Sequence, residues 1–323
     1  MKKRTVGTAL CVASGAMALI SWSITTNLLR FAMDREAPRV MARQQVRHAK
    51  KSGLAAVESA RAACSAELES RRFAEVTILA EDGTRLVGHW YPCEDARRVI
   101  VAMHGWRSSW SRDFGMIADF WHDAGCSILF AEQRAQNKSG GEYITFGLVE
   151  RYDCRAWVDW VNTHQNPTRL PIYLAGISMG ATTVLMSAGL SLPDNIHGVI
   201  ADCGFTSPQD IWRHVVRKNM HLSYSVRGRM IDRICRKRIH LGAADYSTLT
   251  AMREGHIPVL FVHGTEDTLV PISMTYENYK ACRAPKRLLV VPGAGHGMCY
   301  HADREGYESA VCNFFGEFDE SRA

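Results

Sequence analysis

The 323-residue chain has ten cysteines but no CxxC pair and no evenly spaced framework among positions 11, 64, 93, 126, 154, 203, 235, 282, 299 and 312. A disulfide scaffold is therefore not expected, and a domain of this length needs none. Cys126 and Cys203 sit in apolar context, where cysteine acts as a small hydrophobe, and the pattern favours a reducing compartment. Internal repeats and low-complexity stretches are absent, as is any nucleic-acid fold signature. With 46% hydrophobic and 22% charged residues, the composition excludes extensive disorder and predicts one well-filled domain.

Charge is missing altogether from Val6 to Leu29. This run is flanked by Lys2, Lys3, Arg4 and Arg30 and is long enough to cross a bilayer as a helix. Ala16-Met17-Ala18 offers a cleavage site of the A-x-A type, yet apolar residues continue to Leu28 and Leu29. An uncleaved single-pass anchor over residues 1–30 is thus expected in preference to a signal segment. Which side of the membrane the rest occupies stays open. The flanking arginines and lysines favour the cytoplasmic side, whereas short leaders of this shape often export the domain attached to them. Residues 1–72 carry thirteen Lys and Arg against five Asp and Glu, so the net charge of +6 is concentrated there and the remaining chain is slightly acidic. Such a balance suits anionic headgroups and gives no reason to expect a nucleic-acid partner. Residues 31–72 read as a basic helical connector, with helical spacing from Leu54 to Leu68, and residues 73–323 as the main folded domain.

Within that domain, the turn Glu81-Asp82-Gly83-Thr84 joins two short strand patterns and predicts a hairpin. Apolar runs at Arg98 to Met103, Ser127 to Ala131, Ile172 to Ala175, Ile196 to Ala201, His256 to His263 and Arg287 to Val291 then alternate with helical patterns. That rhythm predicts an α/β fold: a mostly parallel central sheet of about eight strands with helices on both faces, after an antiparallel start. Ligands bind at the carboxyl ends of strands in such sheets.

The chemistry-bearing residues fall at those ends. Gly176-Ile177-Ser178-Met179-Gly180 comes directly after one strand and opens onto a helix-prone stretch, which is the strand, G-x-S-x-G turn, helix arrangement that holds a serine hydroxyl on a sharp bend. Asp267 lies in the loop after His256 to His263, and His296 lies between glycines after Arg287 to Val291. A serine hydroxyl is a poor nucleophile unless a base takes its proton as it attacks. His296 is the expected base and Asp267 the carboxylate that orients it, with neighbouring Glu266 and the strand-end Asp202 as the other acids within consideration.

The chain order Ser178, Asp267, His296 resembles that of the α/β-hydrolase superfamily, in particular bacterial serine esterases and related prolyl-oligopeptidase-like hydrolases. The resemblance implies an oxyanion hole from the backbone N–H of Met179 and, by the His104-Gly105-Trp106 sequence after an early strand, that of Trp106. It also implies a loop like the one many members carry after the fourth strand, here with Glu132 in place of aspartate and Asn137 in place of glycine. A cap insertion is implied at about 206–252, a segment rich in Arg, Lys, Trp, Tyr and Met that could steer an anionic substrate, lie on lipid or form a solvated lid. No cofactor is called for. His296, Cys299 and His301 resemble a metal cluster on paper, but the triad role of His296 argues against zinc.

The expected activity is carboxylic ester hydrolysis through an acyl-enzyme on a small-molecule or lipid-like substrate. A peptidase or amidase is the alternative, weakened by the lack of a propeller-sized gating domain, and a catalytically silent binding protein is a third. Dehalogenase or epoxide hydrolase chemistry would want an acid in place of Ser178.

Overall fold

The computed structural model describes residues 21–36, 55–220 and 224–319. Among the described residues, eight strands form one sheet: β1 (Ala74–Leu79), β2 (Arg85–Tyr91), β3 (Arg98–Met103), β4 (Cys126–Ala131), β5 (Ile172–Ile177), β6 (Ile196–Asp202), β7 (Val259–Gly264) and β8 (Lys286–Val291). Their spatial order is β1-β2-β4-β3-β5-β6-β7-β8. β2 runs antiparallel to both β1 and β4, and every pair from β4 through β8 is parallel. The hairpin forms where the turn residues predict it, with Gly83 at φ +77° and Thr84 N donating to Asp82 Oδ1.

Successive side chains point to opposite faces of a strand, so the continuous apolar runs of the central strands put hydrocarbon on both faces of the sheet, and both are buried. Val99, Val101 and Met103 of β3 face the layer containing Trp157, Val158, Val184 and Leu185, while Ile100 and Ala102 face Phe114, Trp121, Phe314 and Phe315. The helices Glu150–His164 and Met179–Ser187 thus cover one face. Trp110–Phe114, Ala118–Asp123 and Arg304–Phe318 cover the other. β1 is an edge strand with alternating exposure.

Because β3 is flanked by β4 on one side and β5 on the other, the chain reverses its direction of travel across the sheet between β3 and β5. A crevice opens at the carboxyl ends of strands at such a switch point. Over it lie helices Pro208–Met220 and Tyr224–Ile239, the core of the expected cap. They turn Ile211, Trp212, Val216, Ile231 and Ile234 inward and leave Arg213, Arg217, Arg229, Arg233 and Lys237 exposed. Helix Thr248–Glu254, at the end of the same insertion, instead buries Ala251 and Met252 in the sheet's own core.

The amino-terminal run behaves differently from the expected membrane span. Residues 1–20 lie outside the described residues, as do 37–54 of the connector. The remainder of the run, from Ser21, belongs to a helix over 21–33 that buries Thr25, Leu29 and Met33 against the catalytic domain. Among the described residues no helix is long and apolar enough to cross a membrane. An uncharged sequence cannot distinguish a helix facing lipid from one facing an apolar cap, and here the protein supplies the apolar surroundings.

Candidate active site

The serine turn is shaped by what its glycines exclude. A Cβ on Gly180 would lie 1.8 Å from the carbonyl oxygen of Met103, and one on Gly176 would lie 2.3 Å from the Gly180 backbone. Only glycine lets β3, β5 and the following helix approach this closely. Between them Ser178 is held at φ +57°, ψ −117°, a region costly for a residue with a side chain, about 1–3 kcal/mol. Its N–H donates to Asp202 O (2.8 Å), and its own carbonyl accepts from Thr182 N (3.0 Å) as the helix begins. The hydroxyl is thereby pushed out of the sheet into the crevice.

Two loops remote in sequence are zipped together to face it. Thr265 N donates to Val291 O (3.0 Å) and Glu266 N to Ala294 O (2.9 Å). Gly293 N donates to Thr265 Oγ1 (2.9 Å). Gly264 permits this approach, since a Cβ there would meet Ala294 O at 2.2 Å. The result brings Ser178, His296 and Asp267 into one chain of hydrogen bonds: Ser178 Oγ to His296 Nε2 at 2.8 Å, and His296 Nδ1 to Asp267 Oδ2 at 2.7 Å.

Asp267 is the most heavily hydrogen-bonded member. Its Oδ1 accepts from Leu269 N and Val270 N, both at 2.9 Å. Its Oδ2 also lies 3.2 Å from His263 Nε2. Burial pushes this carboxyl up, but the bonds from His263, His296 and the Val270 backbone outweigh it and hold the group well below the usual carboxylate range. In the sequence His263 reads only as the end of an apolar strand. Its Nδ1 faces Thr275 Oγ1 at 2.7 Å and its Nε2 faces Val270 O at 3.0 Å, so Nε2 carries the proton and donates toward Asp267.

The other acids are placed elsewhere. Glu266 is exposed and contributes its backbone to the loop pairing. Asp202 is buried, its Oδ1 has no hydrogen-bond partner among the described residues, and burial pushes its carboxyl up to about 6. Of the paper metal cluster, Cys299 and His301 are not gathered with His296. Cys203, Asp267 and His296 do approach within 4.8 Å, but both His296 ring nitrogens face Ser178 and Asp267.

The loop after β3 abuts the serine, for a Cβ on Gly105 would lie 3.5 Å from Ser178 Cβ. Asp113 holds this loop, accepting from Gly105 N (2.7 Å), Ser108 Oγ (2.6 Å) and Arg61 Nη2 (3.1 Å). Arg107 N donates to Gln136 Oε1 (2.5 Å). The N–H groups on either side of Trp106 are thus engaged by side chains. Met179 is the first residue of its helix, where the backbone N–H has no partner within the helix. In the loop after β4, Asn137 takes φ +48° and donates to Ser108 O (3.0 Å), while Glu132 faces His89 at 2.8 Å. Both replacements are accommodated.

Ser178 and His296 open into a cavity of about 550 Å³. Trp106, Phe146, Phe205, Ile211, Trp212 and Val216 line much of it, so its walls are mainly hydrocarbon. A volume of this order holds a drug-sized molecule.

A glycine-flanked serine elbow at the carboxyl edge of a sheet with this strand order defines an α/β-hydrolase. The model of the prolyl oligopeptidase family matches residues 113–319. The chain belongs to that family, and it is a hydrolase. It is 27% identical over 239 residues to the uncharacterized protein YqkD of Bacillus subtilis, covering 74% of this chain and 78% of that one. It is 24% identical over 247 residues to the uncharacterized protein YfhR of Escherichia coli strain K12, covering 74% and 79%. Among solved structures it resembles the Pyrococcus furiosus esterase Pf2001, with a TM-score of 0.64 and 23% identity, covering 78% of this chain and 94% of that one. Est1E of Butyrivibrio proteoclasticus, solved with ferulic acid bound, gives a TM-score of 0.56 at 18% identity, covering 75% and 98%.

Proposed function

We propose that the chain is a serine hydrolase of carboxylic esters. Ser178 Oγ attacks the ester carbonyl as His296 Nε2 takes its proton. Asp267 stabilises the imidazolium through Nδ1–H and remains ionised. The N–H groups of Met179 and Trp106 donate to the oxygen on which charge develops, an interaction worth roughly 3–4 kcal/mol per donor by deletion. His296 then returns the proton to the departing alcohol. Water, activated by the same imidazole, cleaves the acyl-enzyme and releases the carboxylic acid.

The single observation that carries this reading is the Ser178–His296–Asp267 chain, with contacts of 2.8 and 2.7 Å, opening on an apolar cavity. Hydrocarbon walls suit an acyl group better than a peptide, whose amides want partners. The esterase Pf2001 and the ferulic-acid-binding Est1E support the same substrate class. A peptidase reading is favoured by the family match alone. Assaying p-nitrophenyl acyl esters beside matched anilides separates the two. Ester turnover that vanishes in Ser178→Ala is expected, and anilide turnover at a comparable rate would favour the peptidase.

Membrane association is proposed through the residues before Ser21. With residues 21–33 committed to the catalytic domain, the uncharged stretch left over is Val6–Ile20, shorter than the roughly 20 residues a spanning helix needs. Attachment at the membrane surface fits that length better than a crossing. Release of the full chain from membranes by carbonate or high salt is expected, and release only by detergent would restore the anchor.

A further inference from the structure

Helix 21–33 does more than lean on the domain. Its end is clamped by the very loop that abuts the serine. Trp106 Nε1 donates to Ala32 O at 2.8 Å. The Arg107 guanidinium donates to Phe31 O (2.8 Å), Asp34 O (2.5 Å) and Arg35 O (3.1 Å). Phe31 O and Ala32 O belong to the last turn, whose carbonyls have no partner within the helix, while Asp34 and Arg35 follow directly after it. A second clamp comes from the segment bordering the site, where Ile144 N donates to Met33 O (2.6 Å) and Arg35 N to Glu142 O (2.8 Å). A third comes from the cap, through the Arg238–Asp34 ion pair at 2.6 Å.

So fixed, the helix turns Thr25, Leu28, Leu29, Phe31 and Ala32 toward the same 550 Å³ cavity that holds Ser178 and His296. Phe31 meets the Trp106 ring edge-on, with centroids 5.4 Å apart. The cavity has three walls: the sheet edge with its loops, the cap helices, and this helix. Without the third the apolar space would be open along one side.

We propose that helix 21–33 is the acyl-selecting wall of the substrate pocket, with Leu28 a specificity-determining residue. Substrates are esters of medium or long apolar acyl chains, whose tails lie between this helix and the cap. Trp106 is the joint, its indole gripping the helix while its backbone sits beside the reacting carbonyl. The proposal rests on the ester-hydrolase reading and deepens it. Leu28 is only partly buried, so a larger or polar side chain can be carried there without emptying or overfilling the fold's core.

The test uses the full chain and p-nitrophenyl esters from acetate to dodecanoate. In Leu28→Trp, which fills the cavity, the ratio of kcat/KM for decanoate to that for acetate is expected to fall about tenfold or more, since each methylene placed in an apolar pocket carries about 10- to 200-fold of discrimination. Leu28→Ser, which removes hydrocarbon from the wall, is expected to lower the ratio in the same direction. Leu28→Met, nearly isosteric, should keep it within about threefold. An unchanged ratio in both Leu28→Trp and Leu28→Ser overturns the wall. Labelling of Ser178 by short-chain and long-chain alkyl fluorophosphonates makes the same comparison without turnover. A chain-length shift in labelling combined with no ester hydrolysis by the parent enzyme keeps the wall and refutes the ester reading. Absence of labelling at Ser178 refutes both.

Discussion

Replacing Asp267 by Asn changes one atom in the site, and the structure says where the damage falls. Oδ1 accepts two backbone N–H groups, from Leu269 and Val270. An amide oxygen can keep both. Oδ2 faces His296 Nδ1 at 2.7 Å and His263 Nε2 at 3.2 Å. The amide NH2 must therefore stand where two ring N–H donors already point. His263 keeps its proton on Nε2, because Val270 O at 3.0 Å still needs a donor. His296 relieves its side by moving its proton to Nε2, which leaves Nδ1 to accept. In that tautomer Nε2 faces Ser178 Oγ as a donor and has no lone pair for the serine proton. A wrong-tautomer enzyme of this kind loses about 10⁴ in kcat, which corresponds to about 5.4 kcal/mol of transition-state stabilisation. Steady-state hydrolysis of p-nitrophenyl butyrate at pH 7.5 measures it, with fluorophosphonate titration to count folded sites. Glu266→Gln and Asp202→Asn should each keep most of the activity. A loss under tenfold in Asp267→Asn, or an equal loss in Asp202→Asn, would refute the assignment of the acid.

Asp202 should reveal itself in stability. Its carboxyl is pushed up to about 6 in the folded chain from an ordinary value near 3.8, so folding is favoured at low pH and that advantage is lost as pH rises through 6. Removing the charge with Asp202→Asn is therefore expected to raise stability by about 2–3 kcal/mol above pH 7 and to change it little below pH 4, read from urea unfolding at both ends. A gain that is the same at both pH values would contradict the burial argument. At the elbow, Gly180→Ala places a methyl 1.8 Å from Met103 O. Loss of soluble, labelled protein is expected, and a variant with wild-type Tm would mean the turn is looser than described.

Much of this architecture was legible because its signals are local. Each parallel strand is a short apolar run closed by glycine or a polar loop, and the elbow glycines announce a backbone too crowded for side chains. The hairpin at Gly83 and the left-handed Asn137 obey the same logic of local backbone preference. The features that are not legible in the sequence depend on tertiary surroundings. His263 looks like part of an apolar strand until Thr275 and Val270 fix which nitrogen carries its proton. Helix 21–33 looks like the second half of a membrane segment, since a run without charge is equally content against lipid or against Ile211, Trp212 and Ile231. Helix Thr248–Glu254 shares the insertion with the cap but buries its apolar face in the sheet core, a choice no periodicity encodes. Asp113, which holds the loop at Gly105 and Ser108, gave no motif at all.

The most direct measurement is to expose the full chain to a fluorophosphonate and map the adduct by peptide mass spectrometry. The relay requires stoichiometric modification at Ser178, lost when His296 is replaced by alanine. An adduct on any other serine, or unchanged labelling of Ser178 without the imidazole, would contradict it.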